Sequence, residues 1–152
     1  MRAEGHKGLA LALVFSIMSI LRIKDFNSLM IALLVVAFST IPDIDLRLEI
    51  KHRSYTHNLL AAIIFGLILG VIFHYFWISF WAGFMGGFGG TILHIIGDLL
   101  TYQPFAPLAP FYRKKFALKL FRSNDRIVNR SFLGIGGMTL IIYMLYVLAG
   151  TI

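Results

Sequence analysis

Five long apolar stretches follow one another along this chain of 152 residues and restrict what it can fold into. Hydrophobic residues make up 59% of the sequence and charged residues 14%, which is more apolar surface than a soluble domain of this size can bury. A helix needs roughly 20 residues to cross a bilayer, so we predict an all-α, polytopic membrane bundle of about five transmembrane helices instead of a soluble helical core. The stretches are Gly8–Ile23, Phe26–Pro42, Leu59–Phe73, Ile78–Tyr102 and Ser131–Ile152.

The chain is predicted to form a single integral-membrane domain over residues 1–152, with a basic interfacial segment over residues 103–130. Within that segment, Phe111–Arg122 mixes apolar and basic residues, which is compatible with an amphipathic helix on the membrane surface. The apolar alternation over 116–120, followed by the turn-like residues 123–125, is also compatible with a short hairpin. Either form would hold cationic side chains against phosphate groups.

Basic residues gather on one side of the predicted membrane. With five spans, the N-terminus, the loop 43–58 and the segment 103–130 share a side, and they hold all fourteen Lys and Arg residues except Arg22 and Lys24. The positive-inside rule therefore predicts a multi-pass protein of the cell membrane with a cytoplasmic N-terminus. We expect the basic side chains to contact anionic lipid headgroups and not nucleic acid. We also expect the first span to be retained in the mature protein, since no small-residue cleavage site follows it.

Small residues indicate where helices can approach one another. Gly66 and Gly70 form a GxxxG pair on the third span, which is compatible with a homo-oligomer. On the fourth span, steps of three and four residues place a row of glycines and a polar pair on one helical face. We expect the glycine half of that face to admit neighbouring helices. The row consists of Gly87, Gly90, Thr91, His94, Asp98 and Thr101.

Ionisable residues within and beside the apolar stretches fall at one membrane face. A charged side chain in a span costs on the order of 2.5–3.5 kcal/mol on insertion scales, so it usually has a partner and a function. The chain has no cysteine, so a metal site there must use imidazole and carboxylate ligands. His74 lies in the opposite loop, where we interpret it as part of an aromatic belt. The residues at the predicted cytoplasmic ends are His6, Asp43, Asp45, His52, His57, His94 and Asp98.

The clearest single pattern is His94-x-x-x-Asp98, because a spacing of four places imidazole and carboxylate on one helical face, where they can share a cation. The alternative for that pair is a hydrogen bond that joins two helices. Asp43 and Asp45 could form salt bridges with the basic residues that follow, and the histidines of the same loop could be solvated. The recurrence of such residues at several helix ends favours a metal site.

Four short motifs, taken in order, resemble those of the YdjM-like family. The resemblance covers the chain from about His6 to Phe111 and implies a membrane-bound, metal-dependent hydrolase. Some members are described as LexA-binding inner-membrane proteins. Ser54 stands where Gly is usual and Asn58 where Ser is usual, and both changes leave the ligand atoms intact. The motifs are Pro42-Asp43-Ile44-Asp45, His52-Arg53-x-x-Thr56-His57, His94-x-x-x-Asp98-x-x-Thr101 and Pro107-x-x-Pro110.

A more distant similarity points to related chemistry. His94-Ile95-Ile96-Gly97-Asp98, followed by Gln103-Pro104, is similar to the His-x-x-Gly-Asp…Gln-Pro stretch of zinc-dependent phospholipase C and P1-type nucleases. Those helical enzymes also use an Asp and a His about fourteen residues apart, a separation that Asp43 and His57 match. Their later metal ligands have no counterpart, since no histidine follows His94, so one or two ions are expected here.

Together these patterns predict a divalent-metal hydrolase, with zinc as the expected ion, that activates water at the cytoplasmic leaflet. Asp45 or His52 would accept a proton or orient a ligand. Arg53, the third expected catalytic residue, would bind an anionic group of the substrate and offset the negative charge that develops in the transition state. The expected substrate is an anionic phospholipid or other phosphoester, although an amide or acyl ester suits the same metal. A metal or proton carrier and a structural or regulatory membrane protein are the alternatives. The expected metal ligands are His6, Asp43, His57, His94 and Asp98, and the expected substrate-binding residues are Arg53, Thr101, Arg113 and Lys114.

Overall fold

The computed structural model describes residues 1–49, 53 and 55–149, and the regular elements in that part of the chain are helical. The predicted all-α fold class is therefore confirmed. In chain order the elements are α1 (Ala3–Ile20), α2 (Phe26–Phe38), a 3-10 turn (Ile41–Asp43), α3 (Ile44–Arg47), α4 (Leu59–Tyr75), α5 (Phe80–Leu99) and α6 (Arg126–Ala149).

Four of these segments are long and apolar enough to cross a membrane, and α4 is a shorter apolar helix of 17 residues. Large apolar side chains cover their outer surfaces; on α6, for example, Ile141, Ile142 and Leu145 are each more than half exposed. Such a surface suits hydrocarbon and not water. The prediction of about five membrane helices is thus in agreement with the structure. The four long segments are Ala3–Ile20, Phe26–Leu46, Phe80–Leu99 and Arg126–Ala149.

Side chains at the helix starts satisfy backbone N–H groups that have no partner within the helix. Asp25 Oδ1 accepts a hydrogen bond from the N–H of Ser28 at 2.9 Å, at the start of α2. The buried Asn58 does the same for Ala61 at 2.8 Å, at the start of α4. Because Asn58 directly follows His57, this cap also determines where that histidine lies.

Helix α5 is flanked by α4 and α2, and α1 packs against α6. The backbones of α1 and α6 approach closely at two glycines, since a Cβ on Gly136 would lie 2.3 Å from the carbonyl oxygen of Gly8. A Cβ on Gly8 would lie equally close to the backbone N of Leu133. Only glycine permits this separation, which brings the start of α1 against α6.

The predicted packing face of α5 is confirmed. A Cβ on Gly87 would lie 2.8 Å from the carbonyl oxygen of Phe65 in α4, and one on Gly90 would lie 2.8 Å from the backbone of Phe38 in α2. Nearer the helix end, His94 and Asp98 are buried on the same face. The glycines therefore bring α2, α4 and α5 together just before the polar pair along α5.

The GxxxG pair of α4 also contacts α5. A Cβ on Gly70 would lie 2.7 Å from the ring of Phe80, and one on Gly66 would lie 3.1 Å from the ring of Phe84. The pair thus serves helix packing within the chain, and a homo-oligomer stays a prediction.

The segment between α5 and α6 does not form the amphipathic helix that was one of two alternatives for residues 111–122. Isolated bridges pair Phe105 with Phe116 and Thr101 with Phe121. The N–H of Leu118 also donates to the carbonyl oxygen of Leu99 at 2.7 Å. The helix alternative is wrong because these backbone groups bond to the end of α5 and to residues 101–105, whereas a helix would use them internally.

A hydrophobic core without buried ionisable Asp, Glu, His, Lys or Arg side chains among its described members lies at the end of the bundle remote from the polar pair. Phe15 and Met18 of α1 pack there against Ala32 of α2 and Tyr143 of α6, and all four are buried. The two ends of the helix bundle therefore differ: one is apolar, and the other contains the buried ionisable groups.

Candidate metal centre

Four chain segments bring imidazole and carboxylate groups together at one end of the bundle. His6 comes from the first turns of α1, Asp43 from the 3-10 turn after α2, His57 from the residue before the α4 cap, and His94 and Asp98 from the last turns of α5. Four of the five side chains are at most 1% exposed, and Asp43 is 21% exposed. The structure thus brings all five predicted metal ligands into one cluster.

Two imidazole nitrogens in this cluster lie close to the same two carboxylate oxygens. The Nε2 atoms of His57 and His94 are 3.0 Å apart, and Asp43 Oδ1 lies 3.6 and 3.5 Å from them, respectively. Asp98 Oδ2 lies 3.5 Å from His57 Nε2 and 3.7 Å from His94 Nε2. A zinc ion about 2.0–2.1 Å from four tetrahedral ligands separates them by about 3.3 Å, so this spacing fits a small divalent ion.

The second ring nitrogen of His94 is bound to the protein. His94 Nδ1 donates to the carbonyl oxygen of Ser39 at 2.8 Å. That oxygen is available because α2 ends at Phe38 and the N–H of Asp43 bonds to Thr40 instead. The hydrogen bond assigns the tautomer of His94 and leaves the lone pair of Nε2 directed at the cluster.

His57 is held in the same way by two side chains. Its Nδ1 lies 2.8 Å from Thr56 Oγ1, and the Thr56 hydroxyl donates to Asp45 Oδ2 at 2.8 Å. Asp45, which is 1% exposed, also accepts from the backbone N–H of Arg53 at 3.2 Å. Asp45 therefore acts on the cluster through the orientation of His57, as the carboxylate of a carboxylate–histidine–metal arrangement does.

The two carboxylate oxygens of Asp98 lie in different environments. Its Oδ1 accepts from the Arg53 guanidinium at 2.7 Å and from the α-amino group of Met1. Its Oδ2 is buried and has no hydrogen-bond partner in the described part of the chain. A buried carboxylate oxygen without a partner is unfavourable, and this one lies beside two imidazole nitrogens that suit a metal. The donor set therefore fits a divalent cation.

His6 extends the cluster on the side of Asp98 Oδ1. Its ring stacks on His94 with centroids 3.7 Å apart, and its Nε2 lies 3.5 Å from Asp98 Oδ1. Gly97 makes room for it, since a Cβ there would lie 2.9 Å from His6 Nδ1. Two overlapping ligand groups result, one of His6, His94 and Asp98 and one of Asp43, His57 and His94. Because both groups include His94, whose Nε2 has one lone pair to offer, His94 can bind an ion in only one of them at a time.

Arg53 connects the cluster to the segment after α5. Its side chain is mostly buried, and its backbone adopts a left-handed conformation with φ of 60°. One guanidinium nitrogen binds Asp98, and the other donates to Thr101 Oγ1 at 3.2 Å and to the carbonyl oxygen of Gln103 at 2.8 Å. Much of the Arg53 charge is therefore engaged with Asp98, and Thr101 is a partner of Arg53.

The remaining predicted site residues lie outside the cluster. Arg113 lines a cavity next to Arg53, and Lys115 lines it too, although the prediction had named its neighbour Lys114. Lys114 is exposed, with its Nζ 5.8 Å from the centre of the Phe116 ring. His52, a predicted catalytic residue, lies outside the described residues.

Sequence reasoning did not assign two groups that support the ligands. Thr56 belongs to a recognised motif, and its position beside His57 was an available signal for a supporting role. The role of the Ser39 carbonyl oxygen could not be predicted from the sequence, because every residue has a backbone carbonyl and only the position at which α2 ends makes this one available.

Fold and site together define a polytopic helical membrane protein with a buried His and Asp cluster that could bind a metal ion. The model of the family described as YdjM inner membrane protein matches residues 1–152, and the chain belongs to that family. This confirms the family resemblance and the predicted inner-membrane class. No curated protein and no solved structure matches the chain.

Proposed function

We propose that this protein is a membrane-embedded, divalent-metal-dependent hydrolase. The observation that carries the proposal is a buried group in which His57 Nε2 and His94 Nε2 each lie 3.5–3.7 Å from Asp43 Oδ1 and Asp98 Oδ2. Asp98 Oδ2 is buried and has no hydrogen-bond partner in the described part of the chain. Asp43, His57 and His94 supply three ligands, the number that leaves the fourth position of a zinc ion open to water. A bound zinc or similar ion supplies a Lewis acid and a water molecule whose pKa is lowered towards 7. Of the two carboxylates, Asp43 is the more exposed, so it lies on the side from which water and substrate can enter.

The surrounding residues support hydrolysis of an anionic substrate. Thr56 and Asp45 hold the His57 ring, and Arg53 neutralises Asp98 Oδ1. Arg113 and Lys115 add positive charge beside the cluster, where it would stabilise negative charge on a phosphoryl oxygen. A phospholipid or other phosphoester of the inner membrane is the substrate class that we propose, cleaved at the cytoplasmic leaflet by metal-activated water.

Transport of metal ions or protons is the main alternative, and the distribution of polar groups argues against it. The ionisable cluster occupies one end of the bundle, whereas Phe15, Met18, Ala32 and Tyr143 fill the other end. A conduction path needs polar or hydrated groups through the apolar half of the bundle. A purely structural His–Asp network is the second alternative, and it leaves the buried Asp98 Oδ2 without a hydrogen bond in the described part of the chain.

Metal analysis and lipid turnover test the proposal together. We expect one or two zinc ions per chain in the purified protein, lost in Asp98→Asn and His94→Ala, and hydrolysis of labelled phospholipid in liposomes that is lost in the same variants. His74→Ala is the matched control, because His74 is exposed at the opposite end of the bundle. A folded protein without metal would support the structural alternative, and metal flux without turnover would support transport.

A further inference from the structure

A cavity of about 810 Å³ adjoins the metal centre, and the proposed hydrolysis does not by itself explain its shape. It lies between the first turns of α4 and the segment after α5, and we call it the lateral groove. The N–H of Leu59 donates to the carbonyl oxygen of Pro107 at 2.8 Å, which ties the two walls together. The residues that line the groove include Leu60, Ile64 and Phe65 on α4 and Phe105, Ala106 and Pro110 opposite them.

One end of the lateral groove is cationic. Arg53, Arg113 and Lys115 line it, and no Asp or Glu is among its described lining residues. Lys115 and Arg113 are exposed on the basic segment, so their charges are available to a ligand. Arg53 is already paired with Asp98, so the charge available to a ligand is that of Arg113 and Lys115, and such cationic side chains at a membrane surface attract an anionic headgroup.

The other end of the lateral groove leads to the lipid-facing surface of α4. Ile64 lines the groove and is 45% exposed, and Ile68 and Val71 continue the same stripe at helical steps of four and three residues. This stripe runs from the cationic end toward the middle of the bundle. It offers an apolar path of the kind that an acyl chain follows, and free phosphate or a soluble phosphoester would gain nothing from it.

The lateral groove is also joined to the metal centre. Arg53 lines the groove and binds Asp98 Oδ1 at 2.7 Å. Phe105 lines it as well, and its ring centre lies 6.3 Å from that of His57. A headgroup phosphate held at the cationic end would therefore lie next to the ligands of the cluster.

We infer that the lateral groove is a binding site for one anionic bilayer lipid, which enters sideways between α4 and residues 103–115. Arg113 and Lys115 hold its phosphate, and one acyl chain lies along Ile64 and the stripe beyond it. This inference rests on the proposed function only for the fate of the lipid, since binding itself does not require the metal.

Lipid retention tests the inference separately from turnover. The detergent-solubilised protein is incubated with phosphatidic acid, phosphatidylcholine or glycerol 3-phosphate, and mass spectrometry of the intact complex counts what stays bound. We expect phosphatidic acid to be retained at least about tenfold more than the other two. The double variant Arg113→Ala/Lys115→Ala should lose about 30-fold, since each cationic side chain contributes on the order of 1 kcal/mol to attraction of anionic lipid and about 1.4 kcal/mol corresponds to tenfold.

Matched variants separate the groove from general effects of charge and bulk. Arg126→Ala/Arg130→Ala removes two exposed cations at the same end of the bundle but outside the groove and should leave retention within about twofold. Ala106→Trp, which fills the groove, should abolish retention, whereas Leu108→Trp on the exposed surface should not. Circular dichroism and metal content confirm that each variant is folded.

Three outcomes overturn the inference: equal retention of phosphatidylcholine, equal retention of glycerol 3-phosphate, or an equal loss in the control variants. Retention is also measured in Asp43→Asn, which lies in the metal centre and should still bind phosphatidic acid. If the wild type retains this lipid in the expected pattern but hydrolyses none, the lateral groove stands and the proposed hydrolase fails. If turnover continues while the groove variants retain lipid normally, the proposed hydrolase stands and the lateral groove fails as a lipid site.

Discussion

Both histidines at the centre of the cluster have one ring nitrogen committed to the protein and one directed at the other ligands. His94 donates from Nδ1 to the carbonyl oxygen of Ser39, and His57 Nδ1 lies 2.8 Å from the Thr56 hydroxyl, which itself donates to Asp45. A solvated or purely structural histidine needs no such assignment of its tautomer, whereas a metal ligand does. At the scale of single residues, the hydrogen bonds behind the ligands are therefore as informative as the ligands themselves.

Thr56→Val should weaken metal binding without unfolding the protein. The substitution keeps the β-branched shape but removes the hydroxyl that lies between His57 Nδ1 and Asp45 Oδ2. Loss of such a supporting contact typically costs about 10–100-fold in metal affinity. Competition with a fluorescent zinc chelator would measure the change.

Thr139→Val is the control for that experiment. The Thr139 hydroxyl donates within α6 to the carbonyl oxygen of Gly136 at 2.8 Å, far along the chain from every predicted ligand. Unchanged zinc affinity in Thr56→Val would show that Asp45 and Thr56 do not support His57 in the metal-bound protein.

At the scale of elements, the sequence predicted the long helices well but did not predict how the connecting segments run. Apolar length and glycine steps were sufficient for α1, α2, α4, α5 and α6, because each helix satisfies its own backbone groups in lipid. Residues 111–122 carry no comparable constraint, and their backbone bonds to Leu99 and Phe105, contacts that no local pattern records. This is also why Lys115, and not the predicted Lys114, lines the lateral groove.

Gly136→Ala should destabilise the contact between α1 and α6. The added Cβ would lie 2.3 Å from the carbonyl oxygen of Gly8, so the two helix backbones must separate. Overpacking of this kind typically costs about 1–3 kcal/mol, which thermal unfolding in detergent would detect as a lower Tm. Displacement of α1 should also move His6 and reduce the number of bound ions when two are present.

Gly137→Ala, one residue further along α6, provides a close control. A Cβ at this position meets no atom within 4 Å in the described part of the chain, and alanine is the better helix former. Its Tm should match or exceed that of the wild type. Equal destabilisation by the two substitutions would contradict the close packing of α1 on α6.

At the scale of the whole molecule, the metal centre joins segments that are distant in sequence. Its candidate ligands come from α1, from the 3-10 turn after α2, from the residue before the α4 cap and from the end of α5. In the absence of an ion, the carboxylates of Asp43 and Asp98 depend on histidines, Arg53 and the Met1 α-amino group for compensation. A bound cation should therefore stabilise the tertiary structure as well as the site.

Removal of the metal should lower the Tm of the wild-type protein by about 5–10 °C. An ion that binds only the folded state, at about 100-fold above its Kd, adds about 2.7 kcal/mol to the free energy of unfolding. Unfolding would be followed in detergent before and after treatment with a chelator, and after zinc is restored. Asp98→Asn should show no response to the chelator; an equal response would place the stabilising ion elsewhere.

Orientation in the membrane is the remaining whole-molecule prediction, and the absence of cysteine makes it simple to test. The basic segment and the metal centre share one end of the bundle, so the positive-inside rule predicts that this end faces the cytoplasm. Lys114→Cys introduces a thiol on the basic segment, and Tyr75→Cys introduces one at the opposite end of α4, where the side chain is 78% exposed. In intact spheroplasts, a membrane-impermeant maleimide should label only the Tyr75→Cys protein, whereas inside-out vesicles should reverse the pattern. Labelling of Lys114→Cys from the outside would place the metal centre at the outer leaflet and would exclude cytoplasmic-leaflet lipids as its substrates.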